Sequence, residues 1–360
     1  MRSRAHQAIA VDDTLPGTAG NPRDSRRSVG RLPMWAAVLL LALLVLLATA
    51  ASLMIGARPL SPGTTWAGLF HPVPGNGDHD VVQSRIPRTL TGLLIGLALG
   101  LAGAGIQGIT RNPLGDPGIL GVNAGAALGV VAGIAVFGIS GAGGRIVSAL
   151  IGAGVASVAV YAIAASGRGG ATPVKLAIAG AALSVTLFGV MRGLLLLSSQ
   201  TLEEFRHWQV GNLTAASLGQ IGQVVPFIVV GAVVLLASGR VFNLFAMGDD
   251  VAASLGLPVG LARIVTSVAV VLLCGAATAL VGPIAFVGLL VPHAVRAMVG
   301  SNYHRILLLS ALGGPVIVLV ADTIGRVVLL PSEVAVGVMT AVIGAPLLIL
   351  ILRTGRQVEL

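Results

Sequence analysis

The sequence predicts an all-α, polytopic membrane protein, and three observations carry that prediction. Hydrophobic residues make up 55% of the 360, charged residues only 10%. Mean hydropathy is +0.96. Apolar runs about 20 residues long recur along most of the chain, without the two-residue alternation of a membrane β-strand. A soluble fold would have too few charges to cover its surface, and so apolar a chain is not a disordered one. Backbone groups in lipid must be satisfied within the segment, so these runs read as helices.

Residues 1–33 are polar and carry Arg2, Arg4, Arg23, Arg26, Arg27 and Arg31. They read as a disordered cytoplasmic tail. The first apolar run, 34–55, is longer than the core of a secretory signal and reads as an uncleaved span. Further spans are expected at 86–109, 118–138, 143–165, 173–197, 221–239, 263–282, 286–298, 304–326 and 335–352, about ten helices with the 286–298 helix short. The spans define one domain, 34–353, followed by a cytoplasmic tail, 354–360. Polar stretches separate them, from Pro72 to Asp80, Asn112 to Pro117, Ser166 to Gly170, Ser199 to Asn212, Asn243 to Asp250 and Gly300 to Arg305.

The net charge of +9 does not indicate nucleic acid. Outside the N-terminal tail the basic residues stand singly between apolar runs instead of sharing one folded face. Their distribution reports topology. With the N-terminus inside and ten alternating spans, 15 basic residues fall on the cytoplasmic side and six outside. That excess follows the positive-inside bias, so a multi-pass protein of the cytoplasmic (inner) membrane with both termini in the cytoplasm is expected.

Gly numbers 50. Gly92, Gly96, Gly100 and Ala104 recur every four residues on one face of the second span, a groove for close helix approach. The lone cysteine, Cys274, lies in an apolar run and reads as a small buried hydrophobe.

Three polar islands interrupt the apolar pattern. The first runs from Arg85-Ile-Pro-Arg88 through Gln107 to Arg111-Asn-Pro-Leu-Gly-Asp-Pro-Gly-Ile-Leu-Gly121. Pro113 and Pro117 stop the helix, and Asn112 and Asp116 can cap free backbone amides. Gln107, Asn112, Pro113 and Asp116 are therefore expected to stabilise a turn between two spans. The second island, Met247 to Gly256, has Asp249 and Asp250 where a short helix would begin, which suits its dipole. Ala252, Ala253 and Leu255 offer a small-residue face, and Gly256 would end the helix. The third comprises Gly282-Pro-Ile-Ala-Phe-Val-Gly-Leu-Leu-Val-Pro-His293 with Arg296, then Asp322, Arg326 and Glu333. Asp322 and Arg326 share a helix face and can pair. His293 lacks a second ligand at metal spacing and reads as a structural hydrogen-bonding residue.

In this order and spacing the islands resemble the FecCD family, permease subunits of ABC importers for ferric siderophores, haem and vitamin B12. The resemblance covers residues 34–353 and departs at Gly115, where Ala is usual, and at Val334-Ala335, where Leu-Pro is usual. It implies ten helices, with helices two to five and seven to ten forming two pseudo-symmetric halves. It implies a second permease subunit, identical or homologous, two cytoplasmic ATPase subunits and an extracytoplasmic substrate-binding protein. Gly248, Asp249, Asp250, Ala252, Leu255 and Gly256 match the family's ATPase-coupling loop. Arg85, Arg88 and Arg326 match its arginines for docking the binding protein.

The only lysine, Lys175, follows Val174, so no Gly-Lys-Ser/Thr phosphate cradle is present. ATP and Mg²⁺ are expected to act on the partner ATPase, with no cofactor, metal or catalytic site in this chain. Two other classes are less well matched. An ion-coupled secondary transporter of a small solute needs a titratable or ion-ligating group at mid-membrane, and the one charge deep in a span is Arg192. A membrane-embedded hydrolase needs paired acids or histidines on facing helices.

Overall fold

In a computed structural model the described residues are 32–139, 141–166, 171–214 and 216–353, and all their regular structure is helical. The tails expected at 1–33 and 354–360 lie outside this range except for Leu32 and Pro33. The helices are α1 (Met34–Met54), α2 (Pro62–Phe70), α3 (Gly77–Thr110), α4 (Val122–Ala135), α5 (Ala142–Ala165), α6 (Pro173–Leu196) and α7 (Ser199–Gln209). They continue as α8 (Leu218–Ala237), α9 (Gly239–Ala246), α10 (Asp249–Ser254), α11 (Val259–Val281), α12 (Val287–Val299), α13 (Tyr303–Val328) and α14 (Val336–Arg353). A 3₁₀ turn, Pro117–Leu120, precedes α4.

Seven of these, α1, α3, α5, α6, α8, α11 and α13, are long and apolar enough to cross a membrane. α4, α12 and α14 are shorter apolar helices. Together they correspond to the ten expected spans, but three are short where the sequence reading expected one. The polar stretches between spans supply the caps. The Ser61 hydroxyl accepts from the Thr64 N–H at 3.1 Å, the Asn76 carboxamide from Asp78 at 3.0 Å, and Ser217 and Gln220 form a reciprocal capping box. The second span begins earlier than the hydropathy boundary at 86. Asn76 and the acidic first turn, Asp78 and Asp80, start α3 at Gly77, and the helix continues through Pro87.

The long helices α3 and α11 run through the interior, and each pairs across the molecule. α3 packs along α13, and α11 packs along α5. In each half a long helix is followed by a short one, and the intervening link uses left-handed backbone, at Arg111 (φ 48°) in one and Phe286 (φ 67°) in the other. This exchange gives the two-half architecture physical form.

The small-residue face of α3 lies at its crossing with α13. A Cβ on Gly96 would stand 2.4 Å from the Pro315 backbone nitrogen, and one on Gly100 would stand 2.2 Å from the Ser310 carbonyl oxygen. Further along α3, a Cβ on Gly103 would stand 1.8 Å from the Gly288 carbonyl oxygen of α12. Backbones in such contact gain dispersion and weak Cα–H···O interactions where lipid supplies no hydrophobic drive. Cys274 is buried, as the apolar run around it implies.

Candidate functional site

The polar residues gather in two clusters along α3, with Arg88 in one and Arg111 in the other about 35 Å apart along the axis at 1.5 Å per residue. At its N-terminal end, Arg85, Arg88 and Arg326 line one pocket of about 420 Å³ with Arg58, Ser84, Thr214 and Glu333. Two of its arginines, Arg88 and Arg326, meet behind the pocket at Asp322, which is 1% exposed. Arg88 donates to both Asp322 carboxylate oxygens, from Nε at 3.1 and 3.0 Å and from Nη2 at 2.8 Å. Its Nη1 reaches Glu333 at 2.6 Å. Arg326, one turn beyond Asp322 on α13, donates to it from Nε at 3.0 Å and also from Nη2. Arg326 further donates to the Ser52 carbonyl at 2.6 Å and the Ser52 hydroxyl at 3.0 Å, fastening α1 to the cluster. Arg85 differs from its neighbours. Its guanidinium bonds main-chain carbonyls, Leu53 at 2.8 Å and Arg58 at 2.7 Å, and no described carboxylate.

The three arginines therefore converge, but not as a loose rim. Arg326 is 1% and Arg85 8% exposed, so interfacial snorkelling describes neither. Arg326 is first a buried ion-pair partner and tether. The sequence identified the Asp322–Arg326 pair by its spacing; Arg88 and Glu333, far apart in sequence, join it only through the fold.

At the other end of α3, Arg111 caps the helix in left-handed conformation. It meets Asp249, the first residue of α10, and Arg263 of α11 donates to the same carboxylate at 3.0 Å to each oxygen. Arg263 also donates to the Ala171 carbonyl at 3.0 Å. One carboxylate thus joins α10 to α3, to α11 and to the start of the segment preceding α6. Gly248 (φ 105°) and Gly256 (φ 84°) bracket α10 with backbone that L-residues rarely adopt. The expected small-residue face needs correction at Ala252. That residue is fully buried against its own chain, because the Arg263–Asp249 bond turns that side of α10 inward. The exposed side carries Val251, Ala253, Ser254 and Leu255, with Asp250 exposed beside it.

A turn follows α3. The Asn112 carboxamide accepts from the Leu114 N–H at 2.9 Å and the Asp116 carboxylate from Gly118 at 2.7 Å, with Pro113 and Pro117 holding the bends. Burial pushes the Asp116 carboxyl above its ordinary value, and the Gly118 N–H partly opposes this. Gln107 divides its function. Its carbonyl accepts from Arg111 and from Asn112 in the turn, while its side chain reaches the other half. There the Gln107 Oε1 accepts from Arg296 at 2.5 Å, and its amide donates to the Leu289 carbonyl at 3.3 Å. The turn role expected for that side chain is thus a brace between α3 and α12. Arg296, 2% exposed, also donates to the Tyr303 hydroxyl at 3.3 Å. Sequence reasoning marked Arg296 as part of a motif but gave no sign of this buried network. The His293 side chain makes no hydrogen bond among the described residues, so the bonding role expected for it is not found. No cluster of three or more metal-ligating His, Cys, Asp or Glu occurs among those residues.

The chain is thus a bundle of membrane-length helices whose two halves pair across each other, with an arginine pocket at one end and a short bridged helix at the other. The chain belongs to the FecCD transport family, whose model matches residues 42–354, and it is a permease subunit of the ABC-importer type. It is 44% identical over 315 residues to the ferric enterobactin transport system permease protein FepD of Escherichia coli K12, covering 87% of this chain and 93% of that one. It is 36% identical over 288 residues to the cobalamin import system permease protein BtuC of Halobacterium salinarum, covering 80% and 77%. A solved metal-chelate type ABC transporter in an inward-facing conformation superposes with a TM-score of 0.77 at 26% identity, covering 89% of this chain and 99% of that one.

Proposed function

We propose that this permease moves ferric siderophore complexes into the cytoplasm, with ATP hydrolysed on separate cytoplasmic subunits that use ATP and Mg²⁺. The observation that carries the substrate class is the near full-length 44% identity to a ferric enterobactin permease. The transporter comprises two permease subunits, identical or homologous, two ATPases and an extracytoplasmic binding protein that delivers the chelate. The chain lies in the cytoplasmic membrane with both termini inside, a reading supported by the excess of basic residues on that side. The arginine pocket then faces outward and α10 inward.

Arg85, Arg88 and Arg326 receive acidic side chains of the binding protein. Arg85 supports this reading best, since it lines the pocket and its guanidinium bonds no described carboxylate. The 248–256 segment transmits ATPase closure, supported by the bridge from Asp249 to α3 and α11.

The test is reconstitution of the permease with its ATPase and binding protein in proteoliposomes, followed by uptake of ⁵⁵Fe-labelled siderophore. Uptake that requires both ATP and binding protein is expected. Uptake driven by an ion gradient without the ATPase would instead identify a secondary transporter.

A further inference from the structure

The arginine pocket is lined by Arg58, Arg85, Arg88 and Arg326 but by a single acid, Glu333. Arg88 divides its guanidinium between that acid and Asp322. Its Nε and Nη2 are held by Asp322, and its Nη1 by Glu333 at 2.6 Å. The two carboxylates differ in what can replace them. Asp322 is nearly closed to solvent and is shared with Arg326, so no partner reaches it. The Glu333 side chain is 37% exposed at the pocket. An ion pair so open to water is weak and readily exchanged.

Glu333 lies on the connector between α13 and α14, where residues 328–333 are all exposed. Among the described residues, Glu333 is the one residue of 329–335 whose side chain makes a hydrogen bond or ion pair. The next residue, Val334, donates its N–H to the Gly325 carbonyl at 2.9 Å, and α14 begins at Val336. The Arg88–Glu333 bond therefore fastens the start of α14 to α3. An acidic side chain delivered to Arg88 meets Glu333 there. Like charges brought together at an interface are strongly disfavoured, so the incoming acid and Glu333 exclude each other.

We propose that Glu333 is the chain's own occupant of the docking position on Arg88, and that a carboxylate of the binding protein displaces it. One ion pair is exchanged for another while Arg88 keeps Asp322. The displaced Glu333 frees the connector that leads into α14. A surface with no acid at this spot finds Arg88 closed. This exchange rests on the docking role given above to the pocket. It adds a signal to that role, since arrival of the binding protein unfastens α14 from α3.

The test measures affinity of the binding protein for the permease–ATPase complex in nanodiscs, by surface plasmon resonance at low salt. Glu333→Gln removes the competing charge and leaves Arg88 on Asp322. Its melting temperature should match wild type and its affinity should rise several-fold, since the docking position is no longer occupied. Glu333→Ala removes the amide as well and should act in the same direction. Asp80→Asn removes an exposed negative charge near the same end of α3, outside the pocket, and should shift affinity less. In the complex without binding protein, hydrogen exchange at the Val334 amide should be several-fold faster in Glu333→Gln than in wild type. Unchanged or weaker binding in both Glu333 variants, a shift no larger than that of Asp80→Asn, or unchanged exchange at Val334 would each overturn the proposal. Arg85→Gln separates this outcome from failure of the docking role. If it weakens binding while both Glu333 variants bind like wild type, the pocket docks the partner and only the exchange is wrong. If all three bind like wild type, the docking role falls too.

Discussion

Arg326 and Asp322 stand one turn apart on α13, each 1% exposed, with the Arg326 Nε 3.0 Å from an Asp322 oxygen. The same carboxylate holds Arg88 of α3, and Arg326 holds Ser52 of α1. Three helices therefore depend on one buried negative charge. Removing one partner of a buried pair leaves the other desolvated and unmatched, at about 3–5 kcal/mol. Asp322→Ala should accordingly lower the melting temperature of the detergent-solubilised subunit sharply. Arg88→Gln should cost less, because Asp322 keeps Arg326. Equal melting of Asp322→Ala and wild type by scanning fluorimetry would rule out this view of the cluster.

The α3–α13 crossing makes a separate stability prediction. A Cβ on Gly96 would meet backbone of Gly314 and Pro315 at 2.4–2.6 Å, and backbone cannot rotate aside. Gly96→Ala should destabilise by about 1–3 kcal/mol, the usual cost of overpacking. Gly193→Ala on α6, where a Cβ meets nothing within 4 Å, should be neutral or slightly stabilising, since Ala favours helix. Two variants that melt alike would mean that the close approach does not limit stability.

The apolar runs and the Gly92–Gly96–Gly100 register made the helices and one packing face legible, because both are local periodicities. The Asp322–Arg326 pair was legible for the same reason. The connections from Arg88 to Asp322, Gln107 to Arg296 and Arg111 to Asp249 were not. Each joins residues more than a hundred positions apart, and no spacing rule spans such a distance. Ala252 illustrates the opposite error. Its small side chain suggested a partner-facing surface, whereas the Asp249 bridge fixes which side of α10 points inward.

Asp116 offers a pH test. Its folded-state value is raised, so between the ordinary carboxylate value and that raised value the folded protein binds more protons than the unfolded one. Its contribution to stability is therefore fully present below the ordinary value and is lost as pH rises through the folded value. Asp116→Asn keeps an oxygen for the Gly118 N–H but carries no charge. It should melt above wild type at neutral pH, and the gap should close as pH falls toward the ordinary carboxylate range. Asp116→Ala loses the cap and should cost about 1 kcal/mol. A gap independent of pH would show that Asp116 does not titrate differently on folding. Asn112→Leu likewise removes the bond to Leu114 and should lower the folded yield without altering ligand preference.

Docking is best tested at Arg85, since changes at Arg326 would disturb the Asp322 cluster. Arg85→Gln, which keeps a donor for the Leu53 and Arg58 carbonyls, should weaken association with the binding protein at an unchanged melting temperature, most strongly at low salt, where unscreened charge steers encounter. Surface plasmon resonance at two ionic strengths reads this directly. Unchanged affinity at low salt would remove Arg85 from the docking surface.

Coupling requires a contact that carries force from the ATPase into the spans, and the structure restricts where it can be tested. Ala252→Trp would overpack the chain's own interior, so loss of activity there would report misfolding. The outward side is the informative one. Leu255 is 60% exposed on a helix whose first carboxylate is tied to α3 and α11. Leu255→Ala should reduce binding-protein-stimulated ATPase activity and uptake while leaving the melting temperature within about 0.5 kcal/mol equivalent of wild type, as expected for a surface change. Gly256→Val places a β-branched residue at φ 84°, straining the end of α10 by roughly 1 kcal/mol or more, and should act in the same direction. Asp249→Asn separates anchoring from contact. It weakens the hold on Arg111 and Arg263 without touching the exposed face, so the ATPase should still bind while stimulation and uptake fall together. Should all three variants keep full stimulation in the reconstituted complex, α10 is not the transmitting element.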